Sequence, residues 1–138
     1  MEKLQNGVLV FHQTYGAPVG DKPRALPEER KELRLGLIEE ELQELRDALS
    51  GDDLVETADA AIDIVYVTLG LLVEMGVDAE PLFDEVQRSN MSKLGADGKP
   101  IISRGVELDG FPVGKVLKGP GYFRPDLAAV LRAQELTK

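Results

Sequence analysis

The stretch Asp53–Gly76, DLVETADAAIDIVYVTLGLLVEMG, decides how this chain folds. Asp52 or Asp53 can cap a helix start and Gly76 can end one, so the spacing predicts a helix over about 53–75. Ala58, Ala60, Ala61, Ile62, Ile64, Val65, Val67, Leu69, Leu71, Leu72 and Val73 cover most of its circumference. A helix apolar nearly all round is buried on more than one side. A chain of 138 residues with few helices can hardly do that alone, so a homodimer or homotetramer is expected.

Working outward, the flanking segments are helical too. Leu4, Val8, Phe11 and Tyr15 share one side of a helix over 2–15. Gly16, Pro18, Gly20, Pro23 and Pro27 make 16–27 a loop, and Pro27-Glu28-Glu29 starts a long helix running to about Leu49. Asp78 is the expected cap of a fourth helix, about 79–92. Short connections favour antiparallel neighbours, hence an all-α fold with a four-helix bundle core. Eleven Gly and Pro residues between 95 and 125 make an irregular tail, with short extended pairs expected at Ile101-Ile102 and Val116-Leu117 and a closing helix at 126–136. The chain thus reads as one domain, with a helical core over 1–94 and a tail over 95–138.

Composition excludes several classes. There is no cysteine, hence no disulfide, no thiolate zinc site and no Cys nucleophile, and His12 is the only histidine. The net charge of −9 is unsuited to non-specific nucleic-acid binding. The longest apolar run, Ile64–Val73, is about half the ~20 residues a bilayer requires, and no signal pattern opens the chain, so a cytoplasmic protein without a membrane partner is expected. The charge is uneven: residues 1–85 hold 7 basic and 20 acidic side chains, residues 86–138 hold 9 and 5. Either the tail packs electrostatically on the body, or a carboxylate cluster holds cations while a basic segment holds an anion.

The carboxylates favour the second reading. In Glu39-Glu40-Glu41-Leu42-Gln43-Glu44, residues Glu40, Glu41 and Glu44 lie within roughly 100° of helix arc. Glu56, Asp59 and Asp63 interrupt the apolar helix on one side. Acids on a greasy helix need pairing or a metal; for Asp63 the plainer alternative is an ion pair with Arg34 or Arg46. Antiparallel placement brings the two sets face to face. An all-oxygen set suits Mg²⁺ or Mn²⁺, whereas a di-iron site would require a Glu-x-x-His motif that is absent.

Several of these residues resemble one family. Glu40-Glu41-Leu42-Gln43-Glu44-Leu45 resembles the EExxE motif of the MazG-like all-α nucleoside triphosphate pyrophosphohydrolases, whose relatives include dimeric dUTPases and phosphoribosyl-ATP pyrophosphohydrolases. The stretch Asp63–Gly70 looks like the one opening on the aspartate of their ExxD motif. Residues 85–93 and 118–127 resemble a helix and tail of a dUTP-preferring branch, and Phe11-His12 with Gly16 fit its first helix. One departure stands out: the glutamate expected three residues before Asp63 is Ala60. Asp59 replaces it one turn earlier if Asp63 is the motif residue; the alternative is Glu56-Thr57-Ala58-Asp59 as the ExxD.

The resemblance implies attack at the α-phosphorus of a nucleoside triphosphate, a deoxynucleotide such as dUTP, giving the monophosphate and pyrophosphate in nucleotide-pool housecleaning. Glu41, Glu44, Asp59 and Asp63 would hold Mg²⁺ or Mn²⁺, with Glu56 behind them; Glu40, rotated by ~100° from Glu41, is the expected general base. Arg88, Asn90, Lys93, Lys118, Tyr122 and His12 are the expected substrate contacts. The rival readings are phosphoribosyl-ATP hydrolysis and a non-catalytic acidic interaction module. Such a module has no need of acids on the apolar helix.

Overall fold

The computed structural model describes residues 1–138. It is all-α, with six helices: α1 Glu2–Tyr15, α2 Glu28–Ser50, α3 Leu54–Glu74, α4 Ala79–Met91, α5 Val106–Asp109 and α6 Leu127–Thr137. The first four lie where the apolar periodicity puts them. Asp53 caps α3 by accepting the Glu56 amide at 3.0 Å. Gly16, left-handed at φ 70°, ends α1, and Gly76, at φ 69°, turns the chain just past α3. Pro27 precedes α2, where its missing N–H costs nothing. No single helix is long and apolar enough to cross a membrane.

The chain forms two compact units, residues 1–80 with 131–138, and residues 81–130. In the first, α3 is the shared element: α2 packs along one side and α1 along another. Val8, Leu69, Val73 and Ala79 form its buried apolar cluster, flanked by Leu9 and Leu72. The buried Val8, Leu69 and Val73 side chains each contribute on the order of 1.5–3 kcal/mol through removal from water. The corner after α3 is closed by side-chain amides. The Gln5 amide donates to the Val77 carbonyl at 2.7 Å and accepts from the Ala79 N–H at 2.8 Å. Gln134 does the same at Asp78, accepting its N–H at 2.8 Å and donating to its carbonyl at 2.9 Å. Asp78 was the expected cap of α4, but its carboxylate pairs with Lys138 at 3.0 Å and Gln5 takes the first helical amide. A residue 74 positions away supplies the capping oxygen, which local sequence could not indicate.

In the second unit the one extended pairing is the antiparallel bridge Ile102–Val116, at the place where short extended pairs were expected. Asp109 ties the turn it encloses, accepting Ser103 Oγ at 2.7 Å and the amides of Arg104 and Phe111 at 3.0 and 3.1 Å. These donors hold its carboxyl below the usual range, the Ser103 hydroxyl first. Segment 118–126 lies against α4: the Gly119 N–H donates to the Lys93 carbonyl at 2.9 Å, and Ser89 Oγ donates to the Phe123 carbonyl at 2.8 Å. A Cβ on Gly119 would lie 1.9 Å from the Leu94 carbonyl oxygen, so only glycine permits this approach.

Candidate active site

Helices α2 and α3 are antiparallel, and their shared seam carries two charged clusters. One is fully paired. Glu74, on the last turn of α3, has a side chain only 1% exposed and accepts from two arginines of α2. Arg30 Nε donates to Oε1 at 2.7 Å, and Arg34 Nε donates to Oε2. Arg34 also donates through Nη2 to His12 Nε2 at 3.1 Å, and His12 Nδ1 donates to the Pro18 carbonyl at 2.8 Å. Because guanidinium can only donate and a carbonyl can only accept, the geometry fixes His12 as the Nδ1–H tautomer. A Cβ on Gly70 would lie 2.6 Å from Arg34 Nη1 and 3.1 Å from His12 Nε2, so a bare glycine makes room for the cluster.

The other cluster is unpaired. Glu41 is half-buried, and its Oε2 is shielded from solvent with no hydrogen-bond partner. Burial pushes the Glu41 carboxyl above its usual range, and the charges of Glu44, Asp63 and Glu40 push it further in the same direction. None of Glu40, Glu41, Glu44, Asp59 and Asp63 makes an ion pair with Lys, Arg or His. The arginine considered for Asp63, Arg34, is committed to Glu74 instead. Asp63 is half-buried on α3, while Glu40 and Glu44 are exposed on α2.

Of the expected residues, Glu40, Glu44 and Asp63 lie near enough to Glu41 for their charges to act on its carboxyl. Asp59 and Glu56 are exposed on α3 and are not among the charges acting on Glu41. As the side chains stand, no three Asp, Glu or His groups are placed to share one metal ion. The cluster is no finished cage, but a hard divalent cation fits its chemistry. Its donors are all carboxylate oxygens, and one of them is buried without the positive partner or donor that a buried oxygen requires.

His12 was expected to touch substrate, yet it is 2% exposed and both ring nitrogens are engaged, which leaves no ring atom for a ligand. Its role here is to tie the loop after α1 to Arg34. The remaining expected contacts belong to the second unit. Arg88 is held by a two-point hydrogen bond to Glu85, at 2.9 Å for each contact, and its guanidinium lies 4.3 Å from the centre of the Phe123 ring. Arg88, with the Asp126 amide, lowers the Glu85 carboxyl to about 2. Lys118 Nζ lies 4.7 Å from the Tyr122 ring centre. Asn90 is exposed and Lys93 half-buried. Sequence reading missed the Glu74–Arg30–Arg34 cluster, although an acid on an apolar helix is the same signal that singled out Asp63.

A sequence model of the family described as phosphoribosyl-ATP pyrophosphohydrolase matches residues 8–90, well over half of the chain and the whole of the α2–α3 seam. The chain belongs to this family. The protein is accordingly a pyrophosphohydrolase, of the MazG-like all-α group that its motifs resemble. Its structure is similar to a crystal structure from Exiguobacterium sp. 255-15, a protein provisionally assigned as an NTP pyrophosphohydrolase. The two share 28% identity over 98% of each chain, with a TM-score of 0.51. No curated protein matches the chain at a significant level.

Proposed function

We propose that this pyrophosphohydrolase cleaves a nucleoside triphosphate, a deoxynucleotide such as dUTP, between the α- and β-phosphates in a reaction that requires Mg²⁺ or Mn²⁺. The orphaned Glu41 oxygen among Glu40, Glu44 and Asp63 carries this reading. A triphosphate with about four negative charges is repelled from such a cluster unless positive charge lies between them. Glu41, Glu44 and Asp63 would hold the cation; Asp59, exposed one turn earlier on α3, would have to turn its side chain toward them to serve as a fourth ligand. When bound, the ion supplies that charge and polarises the phosphoryl oxygens.

The remaining steps fall to the chain itself. Glu40, exposed and rotated by ~100° from Glu41, takes the proton of the attacking water on its carboxylate. The water oxygen bonds to the α-phosphorus, the bond to the bridging oxygen breaks, and pyrophosphate leaves with the electron pair. Arg88, Lys93 and Lys118 supply positive charge for the phosphates, and Asn90 can donate to and accept from a base or sugar. Tyr122 completes the substrate contacts in this reading.

A second reading, hydrolysis of phosphoribosyl-ATP, is favoured by the description of the matching family. Both are α-phosphate cleavages and use the same acids. The test is pyrophosphate release with Mg²⁺ across a panel of deoxynucleoside and nucleoside triphosphates, dUTP and phosphoribosyl-ATP. Release from the deoxynucleotides, highest with dUTP, is expected. Release from phosphoribosyl-ATP alone would establish the second reading, and release from none would overturn both.

A further inference from the structure

Segment 118–126 carries Lys118 and Tyr122, yet Gly119, Pro120, Gly121 and Pro125 give it no regular structure of its own. Its shape comes from α4. Glu85, Ser89 and Ser92 recur at i, i+4 and i+7, which puts them in one stripe along α4 and the turn that ends it. Each binds the backbone of the segment. Ser92 Oγ accepts the Phe123 N–H at 3.1 Å, Ser89 Oγ donates to the Phe123 carbonyl at 2.8 Å, and Glu85 Oε1 accepts the Asp126 N–H at 2.8 Å. Ser89 is 2% exposed, so this stripe buries a hydroxyl where generic packing would place carbon. Apolar contacts tolerate sliding, whereas a satisfied set of buried donors and acceptors specifies one register.

We infer that Glu85, Ser89 and Ser92 are positioning residues for the reaction: they fix the backbone of 118–126 on α4 before substrate arrives, and so set Lys118 and Tyr122 in place for the nucleotide. The inference rests on the reading above, in which those two side chains meet the substrate. Lys118 lies over the Tyr122 ring, so the pair is carried by the segment as one unit. Glu85 acts twice, because both Arg88 contacts end on the carboxylate that takes the Asp126 amide, and the Arg88 guanidinium lies over the Phe123 ring. Without the stripe, a segment this rich in glycine would be ordered only by the substrate, and binding would carry that entropic cost. Such preorganisation favours the bound ground state and the transition state alike, so its loss falls on KM and not on kcat.

Ser92→Ala, set beside Ser92→Thr in the full chain, tests the inference. Two quantities are read: hydrogen exchange over 118–126, and steady-state pyrophosphate release from dUTP with Mg²⁺, or from phosphoribosyl-ATP where the second reading holds. Ser92→Ala should speed exchange in the segment and raise KM about tenfold, the equivalent of one lost hydrogen bond. Its kcat should stay within about twofold. Ser92→Thr keeps the hydroxyl and should match the unmodified protein in both. A hydroxyl that only supports the fold would lower the apparent kcat with KM unchanged, and that result would overturn the inference. An unchanged KM in Ser92→Ala while Lys118→Ala raises it would also overturn the inference and leave the substrate reading intact. No release from either substrate, or an unchanged KM in Lys118→Ala, would defeat the substrate reading and the inference with it. Should Ser92→Ala fail to fold, the unmodified protein still decides: without nucleotide its Gly119 and Phe123 amides should be protected, and exchange at free-peptide rates would overturn the inference.

Discussion

The two ends of the α2–α3 seam solve the same electrostatic problem in opposite ways. Near the end of α3, Glu74 is buried against Arg30 and Arg34, and Arg34 against His12, so every charge has a partner within the chain. Two to three turns away, the charges of Glu40, Glu44 and Asp63 act on Glu41 with no basic side chain paired to any of them, and one oxygen of Glu41 is buried without a hydrogen-bond partner. A chain able to pair buried charge at one end has the means to do so at the other. In the proposed reading, the uncompensated charge at the acidic end is what a divalent cation would neutralise. The paired end ties α2 to α3 through the two ion pairs of Glu74.

The largest effects should come from the acidic end and fall on turnover. Glu40→Gln should lower kcat by ~10²–10⁴-fold, roughly 3–5 kcal/mol of barrier, because the proposed proton acceptor is lost. Added Mn²⁺ should not restore it. Asp63→Asn should also remove most activity with the helix content retained in circular dichroism. For Glu41→Gln and Glu44→Gln, excess Mn²⁺ should partly restore pyrophosphate release, since the proposed role of those side chains is to supply ligand charge. Rescue of Glu40→Gln by metal, or no rescue of the other two, would reverse the division of roles.

At the paired end the effect should fall on stability. Glu74→Gln leaves Arg34 buried without its counter-charge, and should cost about 3–5 kcal/mol in chemical denaturation. Turnover per folded molecule should change far less than in Asp63→Asn. Equal losses of turnover in the two variants would erase the distinction between the ends.

How much of this was legible beforehand follows from the range of the forces involved. Helix limits were readable because the residues that set them, Pro27, Asp53 and Gly76, act within one turn. The Ile102–Val116 pairing was readable from two short apolar runs in a Gly- and Pro-rich segment. Helix α5 was not, because four residues carry no periodicity. The acids of the seam were readable by type and spacing, which fixes a helix face but not a partner. Arg34 was considered for Asp63 and went to Glu74, 40 residues along the chain, a choice made by tertiary packing. His12 and Asp78 diverged from expectation for the same reason: the partners that claim them, Arg34 and Lys138, lie 22 and 60 residues away.

Glu41→Gln removes a carboxylate whose charged form is disfavoured by burial and by Glu44, Asp63 and Glu40. Without divalent cations this variant should melt a few degrees above the unmodified protein near neutral pH, about 1 kcal/mol by the usual scaling. The opposite sign is expected for Glu74→Gln. Scanning calorimetry of the two variants side by side checks the pair of signs.

The most direct test of the central claim is the melting temperature of the unmodified protein with and without millimolar Mn²⁺, repeated for Glu41→Gln. A cation held by the unpaired acids stabilises the folded state by linkage. The unmodified protein should therefore gain several degrees with Mn²⁺, and Glu41→Gln should gain clearly less. Identical melting of the unmodified protein with and without the ion would contradict the account.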